Sequence, residues 1–328
     1  MGWNSNRDAA SSAQGSDSVS GDQPFEASQD RPRRGANSRR PARRFVVLVL
    51  VAIVVLPILW FGLPGEIARW YAASADQEAE KENWDAAISQ LDTGISWVPD
   101  NTFLPIRKAQ IQIDAGRIAE AVDTLTEIVG RAGLTDEVRQ LAVQRRAFAL
   151  QRIKRHDEAI ADLSSLVEAR RNDFQQWANS QTRAALALAL NNRAYAYALA
   201  NKELDLGLKD IGEAFDVLRN EDVYVYLDTR GYLRFLKGDL DDAKNDMEVA
   251  TELAERENAN FQRELDDYKA HAANLRSYNL MKRQKDEEMS VIYHHRGLVY
   301  EALGEVEAAK QDLVRAQKLG YNPDQGVW

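Results

Sequence analysis

YLDTRGYLRFLKGDLDDAKNDMEVATEL (residues 226–253) and YHHRGLVYEALGEVEAAKQDLVRAQKL (residues 293–319) are two copies of one pattern. Laid over each other, Gly231 falls on Gly297, Gly238 on Gly304, Ala243 on Ala309 and Met247 on Leu313. Between these fixed points apolar residues recur three and four apart, the period of a helix with one buried face, and the middle glycine of each copy marks a turn. Each copy therefore reads as two helices, with small residues where they cross and a bulky one filling the gap. One such pair cannot bury its apolar face alone, so copies must stack into a continuous core.

Working outward, the segments at Asp85-Ala86-Ala87-Ile88, Ala119-Glu120-Ala121-Val122 and Asp157-Glu158-Ala159-Ile160 bring the rest of the chain into register. The small residue of the first helix becomes Ala75, Ala109, Ala147, Ala194, Gly231 and Gly297. The turn place is Glu82, Gly116, Lys154, Asn201, Gly238 and Gly304. The small residue of the second helix is Ala87, Ala121, Ala159, Gly207, Ala243 and Ala309, and its bulky plug is Leu91, Leu125, Leu163, Ile211, Met247 and Leu313.

This spacing resembles the tetratricopeptide repeat, with units at 68–101, 102–135, 140–173, 187–221, 224–257 and 290–323. The resemblance implies an all-α, right-handed solenoid of about six helix hairpins in which the first (A) helices line a concave groove. On it, Trp70, Trp84 and Trp97 are expected in the core rather than on a ligand platform.

A basic residue stands just before the small place as Arg146, Arg193, Arg230 and Arg296, and an acidic one just before the plug as Asp162, Asp210, Asp246 and Asp312. Antiparallel helices bring the two ends together, so each Arg is expected to meet the Asp of its own unit in a charge-assisted pair. The alternative is an anion-binding ladder of free arginines.

In the family resembled, fixed places of helix A face the ligand. Carried onto this chain, the candidate groove residues are Arg107, Gln110, Gln144, Arg145, Phe148, Asn191, Asn192, Tyr195, Asp228 and Tyr232, with Phe103, Ile106, Thr229, His294, His295 and Leu298 at the remaining places. Carboxamides suit extended peptide, because one Asn both donates to a backbone C=O and accepts from an N–H. The alternative is that these side chains pack between neighbouring A helices. Only Arg107 and Arg145 are cationic, and Asp228 opposes an acidic ligand tail.

Two segments interrupt the period, 174–186 and 258–289. The second has neither Gly nor Pro and reads as continuous helix that extends one flanking repeat helix. Its stripe of Phe261, Leu265, Tyr268, Leu275, Tyr278 and Met281 either folds back on the solenoid or meets a partner helix.

The N-terminal part has a different character. Residues 1–44 carry 8 basic and 5 acidic side chains and few bulky apolar ones, so they are expected to be a disordered, basic cytoplasmic tail. FVVLVLVAIVVLPILWFGL, residues 45–63, is uncharged and as a helix spans about 28 Å, close to the hydrocarbon core of a bilayer. Seven arginines lie between Arg31 and Arg44, which directs the tail inward and the solenoid outward, into the periplasm in a bacterium. Cleavage at Ala73-Ser74-Ala75 competes with anchoring, but it falls well beyond an apolar run longer than an ordinary signal segment.

Composition removes several functions. There are no cysteines, ruling out disulfides and thiolate chemistry, and residues 64–328 carry 34 basic against 46 acidic side chains, a poor match for nucleic acid. No HExxH or phosphate-binding glycine loop occurs, and His294 and His295 are adjacent, pointing about 100° apart on a helix. The expectation is a non-enzymatic membrane scaffold, without cofactor, whose groove takes protein or peptide partners. The rival is a self-assembling membrane protein that forms homo-oligomers through the extended helix or the repeat ends.

Overall fold

The computed structural model describes residues 40–219, 223–271 and 275–321; side chains are described throughout these except at 40–44, 52, 54–61, 267–271, 275–277 and 280. The described residues form helices and connecting turns, with no strand among them. In chain order the helices are α1 (Arg40–Glu80), α2 (Trp84–Trp97), α3 (Phe103–Asp114), α4 (Ile118–Gly130), α5 (Asp136–Arg152) and α6 (His156–Gln176). They continue as α7 (Ser180–Ala200), α8 (Leu204–Val217), α9 (Tyr224–Lys237), α10 (Leu240–His271), α11 (Leu275–Ala302) and α12 (Val306–Lys318).

The chain divides into two units after Leu56. In the first, the described side chains Phe45 to Val51 and Ile53 are all exposed. Among the described residues no helix is long and apolar enough to cross a membrane. The apolar run 45–63 lies partly outside the residues whose side chains are described, as does nearly all of the tail at 1–44.

In the second unit each helix from α2 onward packs on its successor, α7 with α9 and α9 with α11 also touch, and the end of α1 shares a cluster with α2 through Ala75, Ala79, Ala87 and Leu91. The A helices are the end of α1, α3, α5, α7, α9 and α11; the B helices are α2, α4, α6, α8, α10 and α12. The core follows the period closely. Ala75, Ala109, Ala147 and Ala194 at the A-helix crossing are fully buried, as are the plugs Leu91, Leu125, Leu163, Ile211 and Met247. Burying one such plug stabilises by about 1.5–3 kcal/mol. A Cβ on Gly297 would sit 2.9 Å from Leu313 Cγ, and one on Gly231 would sit 3.0 Å from Met247 Cε, so crossing residue and plug are matched in size.

All four Arg–Asp pairs form, each a two-pronged contact from Nε and Nη2 to both carboxylate oxygens. Arg146 reaches Asp162 at 2.8 and 2.6 Å, and Arg193 reaches Asp210 at 2.7 and 2.7 Å. Arg230 reaches Asp246 at 2.9 and 2.7 Å, and Arg296 reaches Asp312 at 2.6 and 3.0 Å. The Asp residues are buried, so the ladder serves to tie helix A to helix B and not to hold an anion.

Two expectations are corrected. Trp70 and Trp97 are 62% and 67% exposed. The repeat period puts them in register with core places, yet among the described residues the first hairpin has a neighbouring hairpin on one side only, and nothing covers them. The segment 258–289 does not extend a single helix. It is shared between α10 and α11, which are both lengthened and pack against each other; the connection at 272–274 lies outside the described residues. Leu265 of the expected stripe is buried, and Phe261, Tyr278 and Met281 are half-buried, so these four face into the hairpin. The shorter interruption is absorbed in the same way, by lengthening α6 and by starting α7 at a capping box in which Asn179 accepts from the Thr182 N–H at 3.0 Å.

Candidate functional site

Four successive A helices share one cavity of about 500 Å³. From α5 come Gln144 and Phe148, from α7 Leu188, Asn191, Asn192 and Tyr195, and from α9 Tyr224, Val225, Asp228 and Thr229. The lengthened part of α11 closes the far wall with Gln284 and Glu288, and its repeat part adds Val291 and Ile292. The helical period explains the arrangement, since Asn191 and Tyr195, or Asp228 and Tyr224, are four apart and share a face. Because the A helices lie side by side, equivalent faces of neighbouring repeats converge.

Most of the surface offered is apolar, and its polar groups are carboxamides, hydroxyls and the two carboxylates Asp228 and Glu288. Asn191 is 4% exposed, and its Oδ1 is buried without a hydrogen-bond partner. An unpaired group of this kind costs about 1–3 kcal/mol, so its retention is a structural debt that a ligand donor would clear. Asp228 is 6% exposed; its two oxygens lie 3.1 and 2.9 Å from His295 Nδ1, which donates to them. Tyr232 stacks on the His295 ring at 4.0 Å, and Tyr195 lies 6.0 Å from it. Burial, and then the Asp228 carboxylate, push the Tyr195 and Tyr232 phenols above their ordinary range. Both remain neutral donors at physiological pH.

The α11 wall is fixed by a second polar cluster. Buried Lys285 donates to Tyr224 Oη at 2.9 Å, to Glu288 at 3.1 Å and to Glu257 at 3.3 Å, and Tyr224 donates to Glu288. Burial and these carboxylates raise the Tyr224 phenol far above its usual value. The cluster joins α9, α10 and α11, so the insertion is built into the cavity and does not stand apart from it.

The structure separates the ten residues expected in the groove. Gln144, Phe148, Asn191, Asn192, Tyr195 and Asp228 line the cavity, while Tyr232 supports it through His295. Arg107, Gln110 and Arg145 form a distinct cluster. Arg107 pairs with Asp76 at 2.6 Å, and Gln110 accepts from Arg145 and donates to Asp114 at 2.9 Å. Burial, with Arg107 nearby, lowers the Arg145 pKa from its ordinary value. Sequence reasoning missed Gln284 and Glu288, because the repeat period assigns no groove place to an insertion. It also treated Asp228 as an open groove residue; its burial follows from the His295 partner 67 positions away in sequence, which no local pattern encodes.

Residues 290–319 match the tetratricopeptide repeat family, on the sixth unit of the period. The repeat read from spacing is thus matched by the tetratricopeptide repeat on its sixth unit, and the described residues of the second unit are all-α. No curated protein matches. Among solved structures, a tetratricopeptide repeat protein from Parabacteroides merdae is 17% identical, covering 79% of this chain and 95% of its own, with a TM-score of 0.48. MamA from Desulfovibrio magneticus is 18% identical over 59% of this chain and 96% of its own, with a TM-score of 0.40. The TPR2AB domain of yeast Sti1, solved as a complex with an Hsp90 peptide, is 13% identical over 77% and 99%, with a TM-score of 0.29. These likenesses are too remote to assign a partner.

Proposed function

We propose that this chain is a membrane-anchored, non-enzymatic scaffold that holds an extended segment of a partner protein in the cavity of its A helices. The observation that carries the reading is the buried, unpaired Asn191 Oδ1 in a mostly apolar cavity assembled from four consecutive repeats. Peptide ligands suit such a site because apolar side chains fill it while backbone N–H groups meet isolated acceptors.

The anchor rests on the composition of residues 45–63, on the exposure of Phe45 to Val51 around a helix apolar on every side, and on the seven arginines before it. In this reading the tail is cytoplasmic and the repeats are outside, periplasmic in a bacterium. Protease added to intact spheroplasts then removes the repeats and spares the tail; protected repeats would reverse the orientation.

Binding is tested by panning a random peptide library against the full-length chain in detergent. Enriched peptides should lose about tenfold or more in affinity when Asn192→Arg fills the cavity, and keep it with Trp177→Ala, an exposed position outside it. No enrichment, or binders indifferent to Asn192→Arg, would refute the site. Self-assembly, the rival, is read from the mass of the detergent-solubilised chain.

A further inference from the structure

We infer that the segment held in this cavity inserts a cationic side chain, lysine or arginine, flanked by apolar residues. The inference rests on the peptide-binding reading above and narrows it. The polar groups that line the cavity are unbalanced. Asn191 contributes a buried Oδ1 with nothing donating to it, and Asp228 shares a single His295 N–H between two oxygens. A carboxylate has about four lone-pair sites, so Asp228 keeps acceptor capacity unused.

Charge points the same way. The lining includes the carboxylates of Asp228 and Glu288 and, among the described residues, no Lys, Arg or His. Behind it, Lys285 already faces Glu257, Glu288 and the Tyr224 hydroxyl, so two carboxylates answer its one charge. The cationic pair Arg107 and Arg145 belongs to the separate cluster on α3 and α5. An acidic side chain entering here would meet like charge in a poorly solvated site, whereas an ammonium or guanidinium would meet acceptors that lack donors. The apolar walls, Phe148, Leu188, Val225 and Ile292, suit the methylene stem that carries such a head group.

The test uses the full-length chain in detergent and three fluorescein-labelled peptides identical except for one central residue between leucines: lysine, norleucine or glutamate. Anisotropy titration should rank lysine about tenfold or more tighter than norleucine, the worth of a charge-assisted hydrogen bond, with glutamate weakest. Glu288→Gln and Asp228→Asn should each shrink the lysine-to-norleucine ratio, which is read within one variant and so does not depend on what the substitution does to binding overall. Asp228 also holds His295, and Glu288 also holds Lys285 and Tyr224, so the ratio is taken from whichever variant melts as the parent chain does, and the peptide ranking on the parent decides if neither does. Equal affinity for lysine and norleucine, or a preference for glutamate, overturns the cationic occupant but leaves the groove standing. If none of the three binds while library panning yields cavity-dependent binders, a lysine or arginine enriched at one position in them supports the inference and its absence overturns it. If panning also fails, both readings fall.

Discussion

At the turn of every hairpin one residue takes a left-handed backbone, and the chain meets that need unevenly. Gly116, Gly238 and Gly304 have φ of 75, 87 and 77°, whereas Glu82, Lys154 and Asn201 sit at 59, 60 and 48°. A side chain in that region costs about 1 kcal/mol, which glycine avoids. Glu82→Gly and Lys154→Gly should therefore each raise stability by up to about 1 kcal/mol, seen as a higher urea midpoint at unchanged slope. The opposite holds at the crossings. Gly297→Ala brings a methyl within 2.9 Å of Leu313 and should cost about 1–3 kcal/mol. Both sets of residues were legible in the sequence because a fixed period places one residue in one local geometry. The exposure of Trp70 and Trp97 was not, since it depends on what lies beside the first hairpin and the period carries no term for that.

Within each of the last four hairpins, the two helices are tied by an Arg–Asp fork whose carboxylate is buried. Asp246 accepts from Arg230 and from Arg234, the latter at 2.6 Å, and its side chain is 1% exposed. Removing it leaves two partly buried guanidinium groups unpaired. Asp246→Ala should cost about 3 kcal/mol in chemical unfolding, toward the low end for a broken buried pair because both arginines retain some contact with water. The double variant with Arg230→Met should recover part of that loss. These pairs were readable from sequence because partners 16 or 17 positions apart lie within one hairpin. The insertion was half readable: its helicity follows from composition, but its division between α10 and α11 has no sequence signal, since Ala272-Ala273-Asn274 contains neither glycine nor proline. Its closure against the repeats rests on Lys285 meeting Tyr224 across 61 positions, beyond any local rule.

On the scale of the whole molecule, part of the acid response follows from the half-buried His294. Burial, and then the neighbouring His295, push the His294 pKa from 6.5 down to about 4, while its ring stacks on Tyr321 at 3.9 Å. Between those values the unfolded chain binds a proton that the folded chain does not, so this contribution to stability is complete above pH 6.5 and declines as the pH falls toward 4. Urea midpoints should drop across that window, and His294→Gln should flatten the dependence. The cavity is likewise a property of the assembly. The sequence gives the A-helix faces, hence Asn191, Asn192 and Asp228, but the wall from Glu288 appears only when the insertion closes on α9. The central claim is that this cavity holds a partner segment. Its most direct test places the photo-reactive residue p-benzoylphenylalanine at position 188, on the cavity wall, or at the exposed position 177 outside it, in the full-length chain with a peptide selected by panning. Irradiation followed by mass spectrometry should give a peptide adduct at 188 and none at 177; adducts at both positions alike, or at 177 alone, would contradict the account.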